Sequence, residues 1–247
     1  MKNLSTVNRQ FKIVLLVSER SWYVMKLLER TSKDRNNVVL LLLKQHNVNL
    51  GISSINNNLK AMGLLWTSKK LLLRLFVIIK FLKYRSIVYQ VKSFNEIQNI
   101  SGVDLAIAYN TGIINENVFK YPQFGTICAH PAYLPYGRGI AGSDQAILKN
   151  DPVGVTIFKI NDGIDTGDIF YQEKINIDNL FSYPDLSNNL SNLSLNLTLK
   201  TVNAIKRGIK PKKQDNIMPY IKLTLSQRKK AMILWQEVFI KNKKRLK

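Results

Sequence analysis

Apolar residues in this chain come first in short unbroken runs and only later at helical spacing. Phe11 to Val17 (FKIVLLV) and Val38 to Leu43 (VVLLLL) have strand length and the continuous apolar character of strands covered on both faces. Between them, Ser18 to Arg30 carries Trp22, Met25, Leu27 and Leu28 near helical spacing, and Asn36-Asn37 marks a turn. This pattern predicts a β-α-β opening with a right-handed parallel crossover. Further strands are predicted over Ile87 to Val91, Val103 to Tyr109, Gly125 to Ala129 and Val153 to Ile160. Short helices are predicted at Asn95 to Ile100, around Glu116 to Phe119, and at Ser143 to Leu148. Such alternation predicts an open α/β sheet, mostly parallel, with its ligand crevice beyond the carboxyl ends of the strands. Asn110, His130 and Asp162 to Gly167 fall just past predicted strand ends, so one crevice is expected to hold them.

After Ile177 the pattern changes. Leu186, Leu190, Leu193 and Leu197 recur at helical spacing in a stretch rich in Ser and Asn, as in a helix packed back on the sheet. Ile205 to Lys247 holds fourteen Lys or Arg against Asp215 and Glu237, and reads as a solvated basic end. The expected division is therefore a domain over 1–177 and a helical and basic extension over 178–247.

Composition narrows the class. With 247 residues and 45% hydrophobic content, the chain is long enough to bury a sizeable core. Its one cysteine, Cys128, rules out an internal disulfide and cysteine-built zinc sites, and no metal is expected. Met1-Lys2 leads into the polar run Asn3 to Gln10 rather than the apolar core of a signal peptide. No run approaches the roughly 20 apolar residues of a spanning helix. A cytoplasmic protein is the expectation. Ser18-Glu19-Arg20-Ser21 follows the first strand where a dinucleotide site would need GxGxxG, so that site is not expected. The formal charge of +21, from 37 basic and 16 acidic residues, calls for an anionic partner.

Candidate chemistry concentrates between Cys128 and Asp168. That stretch holds His130, one of two histidines, then Leu134-Pro135-Tyr136-Gly137-Arg138-Gly139, a Gly-Val-Thr strand, and Asp162-Gly163-Ile164-Asp165-Thr166-Gly167. An isolated His is more often a satisfied loop residue than a base, and Asp-Gly pairs are ordinary turn chemistry. Taken together and in this order, the three elements resemble the catalytic signature of the folate-dependent formyltransferases. The resemblance runs from about Phe11 to Ile177. It implies a Rossmann-like formyltransferase domain and N10-formyltetrahydrofolate as formyl donor. It further implies His130 as the base and Asp165 as its carboxylate partner, the logic of a hydrolase triad.

Cys128 stands where that family carries an Asn that donates to the formyl oxygen. A thiol is a weak donor, and losing one oxyanion donor costs roughly 100- to 1000-fold in rate. Four accounts stay open: a slow enzyme, a substitute amide such as Asn110, a fold kept for binding without transfer, or Cys128 as a nucleophile. By the same resemblance, the backbone of Asn110, Thr111, Gly112, Ile113 and Ile114 holds the pterin ring. Asp162 and Gly163 are counted with these cofactor-binding residues, although turn formation alone explains them.

Compared with members of the family it resembles, the chain's length and charge make a nucleotide-linked amino sugar the expected anionic acceptor, ahead of a methionyl-tRNA or a glycinamide ribonucleotide. Lys60 to Arg85 has seven cations, no acid and many apolar residues. It reads as a sheet-packing helix with snorkelling cations, or as a peripheral membrane contact. No interleaving of aromatic and basic residues suggests a nucleic-acid platform. A dimer is one oligomeric form the sequence allows.

Overall fold

The computed structural model describes residues 10–18, 20–31, 37–43, 72 and 75–245. It divides into two compact units, Met1–Ile114 and Asn115–Lys247.

In the N-terminal unit, β1 (Ile13–Val17), β2 (Val38–Leu43), β3 (Val88–Val91) and β4 (Leu105–Tyr109) pair in parallel. Every residue of β1 is buried, as its unbroken apolar run requires. Helix α1 (Trp22–Thr31) starts at Ser21, whose Oγ accepts the Val24 N–H at 3.3 Å. It buries Tyr23, Val24, Met25, Leu27 and Leu28. The short helix expected at Asn95 to Ile100 is a 3₁₀ helix, Phe94–Asn99, opened by a capping box of Ser93 and Glu96. Helical residues 75–82 bury Val77 and Phe81 but expose Leu75, Phe76, Ile78, Ile79 and Leu82. Most of the preceding basic stretch, like the N-terminal polar run and Asn36, lies outside the described residues.

The C-terminal unit contains α2 (Glu116–Phe119), β5 (Thr126–His130), α3 (Gly142–Lys149), β6 (Gly154–Lys159) and β7 (Ile169–Lys174). Helices α4 (Tyr183–Lys206) and α5 (Leu225–Arg245) complete it. Strands β5, β6 and β7 are antiparallel. The seven strands run β3-β2-β1-β4-β5-β6-β7, a mostly parallel sheet flanked by helices. β7 has no counterpart in the sequence reading, because IFYQEK is half-exposed and lacks a period-2 apolar pattern.

The extension beyond 177 is not set apart. Ser182 caps α4, accepting the Asp185 N–H at 3.3 Å, and α4 packs against β6 and β7. The solvated basic end is corrected as well: α5 buries Ala231, Trp235 and Phe239, spaced by four, and packs on α3. Its last turns are tied down by Asn242 Nδ2, which donates to Ile177 O at 2.8 Å and Leu180 O at 2.7 Å. The cations occupy the remaining face, which is why charge masked the helix. Among the described residues no helix is long and apolar enough to cross a membrane.

Candidate active site

Side chains alternate along a strand, so β5 turns Thr126, Cys128 and His130 to one face. His130 is the last residue of β5, opposite Thr156 of β6, and is 7% exposed. Thr156 Oγ1 donates to Ala132 O at 2.8 Å and accepts the Leu134 N–H at 3.0 Å. Gln172 Nε2 donates to Leu134 O at 2.8 Å. The loop after His130 is thus pinned to β6 and β7. It turns at Gly137 (φ 67°) and brings that carbonyl 2.9 Å from His130 Nε2. A carbonyl only accepts, so this contact places a proton on Nε2 and leaves the neutral ring's lone pair on Nδ1.

Asp165 arrives by a different route from the one expected. Because β6 is antiparallel to β5, its last residue Lys159 pairs with Ile127, while His130 pairs with Thr156. The β6 carboxyl end and His130 therefore lie toward opposite ends of the β5–β6 pair, and no shared carboxyl edge holds His130 and Asp162 to Gly167. The 161–167 turn returns from there. Asn161 Oδ1 gathers it, accepting from Gly163 N at 3.2 Å and Thr166 Oγ1 at 2.8 Å. Asp165 sits at φ 50°, in the left-handed region. Its Oδ2 accepts the Gly139 N–H at 2.7 Å and lies 3.7 Å from His130 Nε2. That separation is too long for a hydrogen bond but short for charge attraction. The His130 and Asp165 side chains are 8% and 16% exposed.

Three residues that the sequence reading gave no role hold this pair in place. The buried Arg138 guanidinium donates from Nε and Nη2 to Ile164 O at 3.0 and 2.6 Å, and from Nη1 to Met218 O. Gln145 Nε2 reaches Arg138 O at 2.9 Å, Ile140 O at 3.0 Å and Ile221 O at 3.2 Å. Gln214 Nε2 reaches Asp165 O at 3.3 Å and Gly167 O at 3.1 Å. Gly139 has φ 87°, where a residue with a Cβ is strained, and the Tyr220 ring packs against it. Arg138 stood in the quoted loop; nothing local in the sequence distinguishes Gln145 or Gln214.

Cys128 is half-buried and shares the face of His130. Burial, and next the Asp165 carboxylate, push its thiol up to about 12. That direction disfavours the thiolate at neutral pH and lends a nucleophilic Cys128 no support. What remains is a protonated thiol able to donate weakly.

The other expected positions fall elsewhere. Asp162 and Gly163 are exposed, and neither takes part in the contacts that hold His130. Asn110 to Ile114 belong to the N-terminal unit. There Ser18 Oγ donates to Asn110 O, Asn110 and Gly112 have φ of 51° and 70°, and Ile113 is 85% exposed. Among the described residues no group of three or more His, Cys, Asp or Glu is placed to hold a metal ion.

A family model described as formyl transferase matches residues 11–202. The methionyl-tRNA formyltransferase of Prochlorococcus marinus (strain MIT 9215) is 38% identical over 120 residues, 48% of this chain. That stretch spans 36% of the relative, about a third of its length. Two solved structures share the fold. One is the formyltransferase PseJ from Anoxybacillus kamchatkensis, in complex with UDP-4,6-dideoxy-4-formamido-L-AltNAc and tetrahydrofolate. It has a TM-score of 0.55 and 18% identity, covering 92% of this chain and 97% of that one. The other is an N-formyltransferase from Helicobacter canadensis in complex with folinic acid and dTDP-3-aminofucose. Its TM-score is 0.57 and its identity 17%, covering 92% of this chain and 81% of that one. With the family model matching more than three quarters of the sequence, and with the fold and the signature loops in agreement, the chain belongs to the formyl transferase family.

Proposed function

We propose that this protein transfers a formyl group from N10-formyltetrahydrofolate to the amino group of a nucleotide-linked amino sugar. The observation that carries the reading is the His130–Asp165 pair, largely shielded from solvent and held by the two signature loops. The donor supplies an activated formyl carbon. His130 Nδ1 takes the proton released by the incoming amine, and the imidazolium formed is stabilised by Asp165 beyond Nε2. The same proton then goes to the departing nitrogen, so His130 acts as base and afterwards as acid. The Gly139 N–H, donating to Asp165 Oδ2, fixes the direction of that carboxylate beside His130.

Asn110 to Ile114 fit a donor read by main-chain groups. Two positive φ values turn the backbone at Asn110 and Gly112, and a Cβ at Gly112 would meet nothing within 4 Å. For the acceptor, the two structural relatives named above are in complex with UDP- and dTDP-linked sugars, and the match covers 97% and 81% of their chains. The charge of +21 suits a diphosphate. Methionyl-tRNA is the second reading, favoured by the 38% identity to the Prochlorococcus enzyme. A third, binding without transfer, is favoured by Cys128 standing in place of the family's Asn.

The test is incubation with N10-formyltetrahydrofolate and, in parallel, UDP- and dTDP-linked amino sugars and charged methionyl-tRNA. A formyl mass increase on a nucleotide sugar supports the proposal. Formylation of the tRNA alone replaces the acceptor, and no product from any acceptor leaves the binding reading.

A further inference from the structure

We infer that Gln214 is a positioning residue for the catalytic carboxylate, delivered by a strap formed from residues 212–221; the inference rests on the role proposed for Asp165. The strap lies beyond the residues matched by the family model, which end at 202. It is anchored at both ends. Lys212 exchanges two backbone hydrogen bonds with Ile169 at the start of β7, at 2.7 and 2.9 Å. At the other end Met218 O accepts from Arg138 and Ile221 O from Gln145. Between these anchors Gln214 is 5% exposed, and its single amide nitrogen spends both hydrogens on Asp165 O and Gly167 O.

That pairing has a specific consequence. Asp165 is held at φ 50°, a conformation less favoured for a residue with a Cβ, and its carboxylate direction follows from that backbone setting. Arg138 grips the carbonyl before Asp165, and Gln214 grips its own carbonyl and that of Gly167. Together they bracket the left-handed residue and hold Oδ2 at 2.7 Å from Gly139 N and 3.7 Å from His130 Nε2. Gln214 Oε1, meanwhile, is buried and finds no hydrogen-bond partner among the described residues. An apolar side chain would fill this space without that penalty, so the amide is accounted for by its two donor bonds.

The experiment uses the full chain. Gln214→Leu and Gln214→Met each remove both donors at similar volume. The two histidines, His46 and His130, make the imidazole NMR signals assignable with a His46→Gln variant. Either Gln214 variant is expected to move the His130 ring signals while leaving those of His46 in place. Turnover should fall about 10- to 100-fold, the scale of a small misplacement at a reacting centre, with acceptor KM within about two-fold. Ser182→Ala, which removes the α4 cap, serves as the stability control: it lowers the melting temperature with kcat and the His130 signals unchanged. If Gln214→Leu does not fold, Gln214→Met carries the test. Folded variants with wild-type His130 signals overturn the inference. So does a kcat loss matched by Ser182→Ala at equal loss of stability. A wild-type protein that formylates no acceptor would sink the proposed function, and the NMR arm would still decide whether Gln214 sets the His130–Asp165 pair.

Discussion

Asp165→Asn isolates charge from shape. One oxygen, Oδ2, both accepts the Gly139 N–H and faces His130 Nε2 at 3.7 Å. An amide oxygen in that place keeps the Gly139 bond and the position of the turn, and removes only the negative charge. Two unit charges 3.7 Å apart attract by about 4.5 kcal/mol at an effective dielectric of roughly 20, and by about 1 kcal/mol at that of water. These limits correspond to rate losses of about 1000-fold and about 10-fold when the charge on His130 develops only during reaction. Side chains 8% and 16% exposed place the pair nearer the first limit, so a loss of about 100- to 1000-fold in kcat is expected.

The assay is formyl transfer under saturating donor and acceptor, followed by mass of the product, with a melting curve beside it. The melting temperature should hold, because the hydrogen bond to Gly139 survives. Asp165→Ala, which leaves that N–H without its acceptor, should lose both rate and stability. An Asp165→Asn protein turning over within about three-fold of wild type would refute the electrostatic role, since even the water-like limit predicts more.

Five further outcomes can be measured. Cys128→Asn should raise turnover toward the roughly 100-fold that one oxyanion donor supplies, while Cys128→Ala should change it little, both read by the same transfer assay. Alkylation of Cys128, followed by mass, should be slow at neutral pH and accelerate about ten-fold per pH unit toward 12, where burial and Asp165 have moved the thiol. Trp235→Ala should cost about 3 to 5 kcal/mol in chemical denaturation, because the ring is fully buried and its Nε1 donates to Asp144 Oδ1 at 3.2 Å. Burial raises the Asp144 carboxyl above its usual 3.8, outweighing the opposing effects of Trp235 and Arg228. The folded state then holds that proton more tightly than the unfolded chain, so the stability from this group is present in acid and lost as pH rises through the raised value. Asp144→Asn should accordingly raise the neutral-pH melting temperature. Finally, if the cations serve a nucleotide-linked substrate alone, the protein should not sediment with anionic vesicles at physiological salt. Salt-resistant sedimentation abolished by deleting 60–85 would place a lipid surface on the exposed apolar residues of 75–82.

The sequence was readable where burial is two-sided and where chemistry is compact. β1 and β2 are continuous apolar runs, and the structure puts strands at Ile13–Val17 and Val38–Leu43. His130 and Asp165 stand in short motifs whose order carries information, and they come within 3.7 Å of each other. Elsewhere the pattern was weak for a physical reason. β7 closes the strand order with Gln172, Glu173 and Lys174, so its side chains follow no apolar alternation. α5 hides Ala231, Trp235 and Phe239 among cations that dominate any reading by composition. Gln214 could not be found at all. It acts through one amide on a residue 49 positions away, and such a contact leaves no local period or motif.

The antiparallel turn of the sheet explains why the site depends on so distant a residue. A parallel β6 would have ended beside His130, and a short loop would have sufficed to deliver a carboxylate. Here Lys159 pairs with Ile127, so β6 ends toward the opposite end of β5 and the 161–167 turn must come back. A turn of that kind stores its conformation in few internal bonds, the two to Asn161 Oδ1 among them. Asp165 occupies the left-handed region without the freedom of glycine. Rigidity must then come from outside the turn. Arg138 supplies it from the loop that carries Gly137 and Gly139, and Gln214 supplies it from the strap that α4 and α5 flank. The residues after 202 therefore reach the dyad through the Gln214 amide.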